Sequence, residues 1–394
     1  MPASSLDWLI NPIDPRSFKA EYWDKRPLIV KRNDPTYYDG LLSLIDVDHI
    51  LSASPIRSSH IRAIRNGKEI PLQLPTGSWM PGNPGSLDCL CTEYREGATI
   101  VLQFLHERWQ PLGSLCASLA AEFSAFFQVN AYLTPSQSKG LDTHYDIHDV
   151  FVLQTEGSKH WRLFDRAVSL PSKSQPFNAD TTKPSKLIEE FDLRRGDLIY
   201  IPRGYMHDAA SRGEASLHLT VGINSITWGV VAVRALENLI ERELQFRESL
   251  PPEFAVREEV RRQTEARLTE LVDGVGSRID AGGVIAHAAQ AVLFAGQRVP
   301  AGQLLDMEKL PQLEMGTFVR RRTGIIWQLT TTPEAVCLSF FGKSVQFPGY
   351  VEPQLQFVTC AGSFTAAEMP DGLDEPGRLF LLETLVREGF LTIS

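Results

Sequence analysis

His144 and Asp146 stand two positions apart in Thr143-His144-Tyr145-Asp146. His207 ends the downstream stretch Gly196-Asp197-Leu198-Ile199-Tyr200-Ile201-Pro202-Arg203-Gly204-Tyr205-Met206-His207. Two imidazoles and one carboxylate are the ligand set of a facial triad. Such a triad holds Fe(II) on one face of an octahedron and leaves the remaining positions open for a co-substrate and oxygen. The chemistry predicted from these three side chains is O₂ activation at a metal bound by His144, Asp146 and His207. The single anionic ligand retains the cation while lowering the charge of the site.

Positioning them demands a particular kind of fold. Alternate residues of a strand face the same way, so a strand through 143–146 points His144 and Asp146 into an interior and Tyr145 out of it. His207 lies 63 positions after His144, so two non-adjacent strands must come together. Gly196-x₅-Pro202-x-Gly204-x₂-His207 has the spacing of the second cupin motif. The first cupin motif is matched in part: Asp146 replaces a histidine, and the motif's glutamate is missing. His49, His60, His106 and His287 have no such setting and read as ordinary core or surface residues.

Lys159 follows the turn Glu156-Gly157-Ser158 and lies 15 positions after His144. Most lysines in such a place are solvated. The functional reading is a buried cation that meets the distal carboxylate of 2-oxoglutarate. Burying an ammonium is costly unless an anion offsets it. Asn130 and Tyr132 alternate on the preceding strand and are candidates to hydrogen-bond the same co-substrate.

The elements that carry these residues are legible in outline. Residues 15–50 predict a helix from Phe18 to Trp23, a strand Leu28-Ile29-Val30 and a helix from about Leu41 to Leu51. The Gly- and Pro-rich 66–88 read as loop. Residues 97–128 read as a strand and then a helix opened by Gln110-Pro111-Leu112, with Leu115, Leu119, Phe123 and Phe126-Phe127 as its apolar stripe. From Val129 to Ile226 short strands with turns between them predict a barrel or jelly roll, with Phe151–Gln154 and His160–Phe164 paired as a hairpin. Residues 228–298 read as helices interrupted at Pro251-Pro252. In residues 300–394, strands at Trp327–Leu329 and Cys337–Phe340, a helix Leu379–Glu388 and a last strand at Phe390–Ile393 look like a winged-helix unit. The domain boundaries expected are 1–226, 227–299 and 300–394, and the fold class is α+β.

Composition narrows the function classes. The net charge of −9 argues against nucleic acid as a direct partner and suits a basic protein target. Residues 315–394 hold six Lys or Arg against eight Asp or Glu, so Arg320-Arg321-Arg322 is not expected to clamp phosphate. The five cysteines (89, 91, 116, 337 and 360) are scattered, and Cys89-x-Cys91 has no second pair to complete a zinc site. Reduced thiols and a cytoplasmic location are the expectation. The N-terminal residues lack the pattern of a signal peptide, and no apolar run is long enough to span a membrane.

Three stretches together resemble the JmjC ribosomal-oxygenase family. They are Asn130-Ala-Tyr132-Leu-Thr-Pro, then His144-Tyr-Asp146 continuing through Asp149-Val-Phe-Val-Leu-Gln154-Thr-Glu-Gly157-Ser-Lys159-His-Trp161-Arg, and the Gly196–His207 motif. Tyr22-Trp23-Asp24-Lys25-Arg26-Pro27-Leu28 resembles the entry segment of the same family. The resemblance implies a double-stranded β-helix (a JmjC cupin jelly roll), then a helical dimerisation region, then a C-terminal winged helix. It implies an Fe(II)- and 2-oxoglutarate-dependent hydroxylase of a His or Arg side chain in a ribosomal protein, working as a homodimer. It matches His144, Asp146 and His207 to the iron ligands and Lys159 to the co-substrate lysine of the histidine-hydroxylating branch. It matches Asn130 and Tyr132 to the co-substrate pocket, and His218 to a late strand near the metal. The arginine-hydroxylating branch resembles the chain less, having Arg in place of Lys159 and Leu in place of Tyr145. His148 departs from the family pattern and reads as a rim residue; His160 alternates outward.

Two other readings compete. The same chemistry could act on a biosynthetic peptide or an N-methyl-lysine, because hydroxylating a carbon on nitrogen is demethylation. A non-catalytic cupin or winged-helix binding protein is the alternative from another class.

Overall fold

The computed structural model describes residues 5–53, 60–72, 85–294, 301–332 and 334–394. The N-terminal strands are β1 (Leu28–Val30), β2 (Ile61–Arg65), β3 (Lys68–Ile70), β4 (Thr99–Leu102) and β5 (Phe126–Thr134). They are followed by β6 (Asp149–Glu156), β7 (Ser158–Arg166), β8 (Leu187–Arg194), β9 (Leu198–Ile201), β10 (Tyr205–Ala210) and β11 (Ser216–Asn224). A large antiparallel sheet runs in the order β1-β9-β6-β11-β5-β4-β2-β3, and a smaller one runs β10-β7-β8. Two facing sheets joined in this way are the jelly roll expected.

Side-chain alternation assigns each face. On β5, Val129 and Ala131 join the outer core; so do Leu217, Leu219, Val221 and Ile223 of β11, and Leu198 and Tyr200 of β9. That outer face is covered by α1 (Ser5–Ile10), α2 (Pro15–Glu21), α3 (Leu44–Ala53) and α5 (Gln110–Phe123), through Leu6, Leu9, Phe18, Val47, Leu112, Leu115 and Leu119. The opposite faces of β6 and β9 supply Val150, Val152, Ile199 and Ile201, which pack with Trp161 and Leu163 of β7 and Phe191 and Leu193 of β8. This second cluster fills one end of the space between the sheets. The inner faces of β5 and β11 carry polar residues instead, and they form the site.

Several local expectations are corrected. Glu156-Gly157-Ser158 does not close a hairpin, because β6 and β7 belong to different sheets. Gly157, at φ 61°, turns the corner between them; a Cβ there would lie 2.0 Å from the Ala215 carbonyl oxygen. A corner and a hairpin carry the same local turn signal. Helix α5 stops at Phe123, with Ser124 in the left-handed region, and Phe126-Phe127 opens β5 rather than extending the helix. The stretch 66–88 is only partly loop: Asn66-Gly67, both at positive φ, turn β2 into β3, and α4 (Gly85–Arg95) begins within it. Residues 73–84 of that expected loop lie outside the described residues. His144 and Asp146 are not on a regular strand either; His144 makes an isolated bridge to His207.

Downstream, α6 (Trp228–Arg242), α7 (Glu258–Asp273), α8 (Val275–Arg278) and α9 (Ala281–Phe294) form the helical stretch. The C-terminal residues build α10 (Gln303–Lys309), β12 (Val319–Arg321), β13 (Trp327–Thr331), β14 (Ala335–Phe340), β15 (Lys343–Pro348) and α11 (Glu352–Cys360). They end in β16 (Ser363–Phe364), α12 (Glu375–Arg387) and β17 (Leu391–Ile393). The sheets there are β16-β12-β17 and β13-β14-β15.

Candidate active site

The bridge between His144 and His207 brings the separated parts of the triad together. The two residues exchange backbone hydrogen bonds, His207 N–H to the His144 carbonyl at 2.8 Å and the reverse at 3.1 Å. Asp146 then reaches both rings: its Oδ1 is 4.0 Å from His144 Nε2 and its Oδ2 is 3.8 Å from His207 Nε2. One donor atom from each of the three lies within 4.8 Å of the others, and no other such group of His, Cys, Asp or Glu occurs among the described residues. A shift of about 1 Å in each side chain would bring them to the separation of neighbouring ligands on one ion.

The ring orientations also suit a metal. His144 Nδ1 sits 2.7 Å from the Asp142 carbonyl and His207 Nδ1 3.2 Å from the Tyr205 carbonyl. A carbonyl accepts only, so each Nδ1 carries the proton and each Nε2 presents its lone pair to the centre. Burial pushes the His207 imidazole down to about 4, and His144 adds to the effect. His207 is therefore neutral near pH 7 and has no proton to lose before ligating. Burial pushes the Asp146 carboxyl up, but the rings of His144, His148 and His207 together outweigh it and hold it below the ordinary carboxylate value.

The inner face of the barrel continues from the triad to Lys159. Tyr132 and His218 are cross-strand partners on β5 and β11 and stack face to face, ring centroids 4.9 Å apart. Trp161 lies edge-on to His218 at 5.7 Å and 6.0 Å from the His207 ring. Lys159, two residues before Trp161 on β7, is only 4% exposed. Its ammonium donates to Thr134 Oγ1 at 2.9 Å, which in turn meets Thr99 Oγ1 at 3.0 Å. Among the described residues no carboxylate lies within ion-pair distance of it. Burial lowers its pKa to about 7. His218 is held well below its ordinary value by burial, then by Lys159 and His207, and its buried Nδ1 has no hydrogen-bond partner among the described residues.

Asn130 faces the same interior; its Oδ1 accepts from the Phe104 N–H at 3.1 Å, and its side chain lies within hydrogen-bonding reach of the Tyr132 hydroxyl. His148 packs over Gly222, where a Cβ would come within 2.8 Å of the imidazole; it stands on the Asp146 side of the site, at the rim. His160 points outward, as expected, and meets Asp192 at 2.8 Å and Glu190 at 2.5 Å. His49 and His287 are exposed, and His106 accepts from the Val129 N–H.

Sequence reasoning overlooked Thr134, which the period-two alternation from Asn130 and Tyr132 would have found. It also overlooked a latch behind the triad. Asp208, next to His207, accepts two hydrogen bonds from Arg162 at 2.9 and 2.6 Å and one from the hydroxyl of Thr143, next to His144. The latch ties the two histidine-bearing segments together from outside the site. Groups bonded directly to metal ligands set affinity by about 10–100-fold, and the latch, one step further out, acts by fixing the two segments that carry the histidines. Asp208→Asn is expected to weaken Co(II) binding by roughly 10-fold, read by calorimetric titration, with the far-UV circular dichroism unchanged.

The chain is similar to known proteins in the same region. Residues 103–230 match the family model described as the JmjC domain. Human ribosomal oxygenase 1 is 34% identical over 270 residues, covering 64% of this chain and 40% of that protein. The bifunctional lysine-specific demethylase and histidyl-hydroxylase NO66 of Drosophila erecta is 33% identical over 225 residues, covering 55% of this chain and 33% of its own. The chain thus spans well under half the length of these relatives. Escherichia coli ycfD superimposes over 97% of this chain and 99% of its own, with a TM-score of 0.54 at 18% identity. The structure of that ribosomal oxygenase with cobalt and 2-oxoglutarate gives a TM-score of 0.52 at 17% identity, covering 97% and 99%.

Proposed function

From a chain that carries a JmjC domain and resembles the ribosomal oxygenases, we propose an Fe(II)- and 2-oxoglutarate-dependent dioxygenase that hydroxylates a His or Arg side chain of a ribosomal protein. The observation that carries it is a metal-ready triad on the same inner face as a buried lysine with no acidic partner among the described residues. The names of relatives include ribosomal oxygenases as well as a bifunctional lysine-specific demethylase and histidyl-hydroxylase.

The donor set fits the metal, and the residues divide the work. His144, Asp146 and His207 would hold Fe(II). Fe(II) with 2-oxoglutarate and O₂ supplies the oxidation: one oxygen atom ends in succinate as CO₂ leaves, the other in the target C–OH. Lys159 would donate to the distal carboxylate, helped by the Thr134 hydroxyl, and Tyr132, Asn130 and His218 would line the path between that carboxylate and the triad. Two donor positions of the Lys159 ammonium remain for a carboxylate beyond the one spent on Thr134. The protein's contribution is positioning and the exclusion of water, and no acid or base beyond these residues is required.

The direct test is succinate formation from 2-oxoglutarate by the purified protein with Fe(II), followed by mass analysis of ribosomal proteins for one added oxygen. No succinate would overturn the enzyme reading; succinate with unmodified ribosomal proteins would favour a peptide or methyl-lysine target.

The same reading makes 227–299 a dimerisation region and places the protein in the cytoplasm. Support for a dimer comes from α6, where Trp228 is 85% exposed and Val230 and Val233 more than half exposed; apolar faces of this kind ordinarily meet a partner. Wild-type protein is expected to scatter light as two chains and Trp228→Glu/Val233→Glu as one. A winged-helix reading of 300–394 is supported by α10, α11 and α12 alongside the sheet β16-β12-β17.

A further inference from the structure

The 20 residues between Arg166 of β7 and Leu187 of β8 form the longest helix-free connection between consecutive strands of the jelly roll among the described residues. Loops of that length without regular structure are usually functional. Both ends are fixed. Ala167 N–H donates to the Gly204 carbonyl, and the Lys186 carbonyl accepts from Asp165 N–H at 2.8 Å. The stretch 172–184 is different. Its own hydrogen bonds are local turns, Gln175 with Ser172 and Thr182 with Asn178. Among the described residues, its ties to the rest of the molecule come from Tyr145, whose hydroxyl donates to the Gln175 carbonyl at 3.2 Å with the Pro176 carbonyl at 3.4 Å. The ring of Phe177 then lies edge-on to Tyr145 at 5.4 Å and to His144 at 6.3 Å. Residues 172–176 and 178–181 are exposed, and Phe177 between them is half-buried.

Exposure within the site runs in one direction. The side chain of His207 is 8% exposed, that of His144 20% and that of Asp146 29%, while Lys159 at the far end is closed off. The opening is on the His144 and Asp146 side, and Phe177 stands there against His144. The residue that anchors the loop, Tyr145, lies between the two ligands in sequence.

We infer that residues 172–184 form a strap, clasped by Tyr145, that makes Phe177 one wall of the entrance for the target side chain. The inference rests on the oxygenase reading and deepens it: Phe177 is a positioning residue for the target and takes no part in holding 2-oxoglutarate. A flat aromatic wall suits a planar target side chain such as an imidazole or a guanidinium.

Phe177→Ala and Tyr145→Phe test it. Lys173 is exposed, and trypsin cleaves after it faster when the strap lifts and its backbone can enter the protease (Lys183 precedes proline and is resistant). Both variants are expected to be cut after Lys173 about 10-fold faster than wild type, in the absence of any metal or substrate. With the ribosomal target found by mass analysis, Phe177→Ala is expected to raise KM for that target about 10-fold and the ratio of succinate to hydroxylated product several-fold. KM for 2-oxoglutarate is expected to move less than twofold. Unchanged cleavage after Lys173, or equal increases in the two KM values, overturns the strap. Absence of succinate from the wild-type protein instead overturns the oxygenase reading, and the entrance role falls with it.

Discussion

His144→Ala, Asp146→Ala and His207→Ala are each expected to lower 2-oxoglutarate-dependent succinate formation by on the order of 10³-fold or more. The loss follows from geometry. Each residue supplies one of three donors that lie within 4.8 Å of one another, and two donors cannot hold a labile ferrous ion against water and competing chelators. The fold is expected to survive, because the bridge between 144 and 207 is made by backbone groups and the latch by Thr143, Arg162 and Asp208. Far-UV circular dichroism and the melting temperature of the metal-free protein check that. Asp146→Asn is the sharper variant: it keeps the shape and removes the negative charge, so it is expected to lose Fe(II) while leaving the metal-free protein intact. Co(II) titration reads the metal directly. A His144→Ala protein that binds Co(II) as wild type does would remove the triad from the site.

The triad was legible because metal ligation restricts residue type and spacing together. His-x-Asp and the Gly196–His207 motif each state a local geometry, and the alternation on β5 and β11 told which side chains share an interior. What failed to show in the sequence was set at long range. Gly157 makes a corner because β6 finds its partners in β9 and β11, more than 40 positions downstream, and nothing in Glu156-Gly157-Ser158 distinguishes that from a hairpin. Strand β8, Leu-Ile-Glu-Glu-Phe-Asp-Leu-Arg, escaped notice because it is an edge strand whose outer face is charged; only Phe191 and Leu193 are buried. The latch escaped for a similar reason. Thr143, Arg162 and Asp208 are residues at home on any surface, and only the pairing of β10 with β7 sets Asp208 opposite Arg162. Phe177 lies in a polar loop with no period at all.

Lys159→Met is expected to act in opposite directions on stability and on binding. In the free protein the ammonium is buried, donates one hydrogen bond and faces no carboxylate among the described residues, and burial lowers its pKa to about 7. The unfolded chain keeps the ordinary value near 10.5. Above that value neither state carries the proton and the lysine costs nothing. As pH falls toward 7 the unfolded chain takes up the proton and the folded one does not, so folding loses up to roughly 5 kcal/mol on this account, fully so below pH 7. Methionine removes that charge and keeps most of the buried length. The substituted protein should therefore melt higher at pH 7 by roughly 1–3 kcal/mol of stability, with the gain shrinking as pH approaches 10. Binding of 2-oxoglutarate to the Fe(II)-loaded protein, measured without oxygen, should weaken by roughly 10²–10³-fold, as expected when one member of a buried charged pair is removed. Wild-type affinity should be flat below pH 7 and fall about tenfold per pH unit above it, because the anion binds the protonated lysine. Calorimetry at pH 8 in buffers of different ionisation heat would then register proton uptake approaching one per site. A Lys159→Met protein that binds 2-oxoglutarate normally, or melts lower than wild type at pH 7, would mean that the ammonium already has an anionic partner and that the co-substrate lies elsewhere.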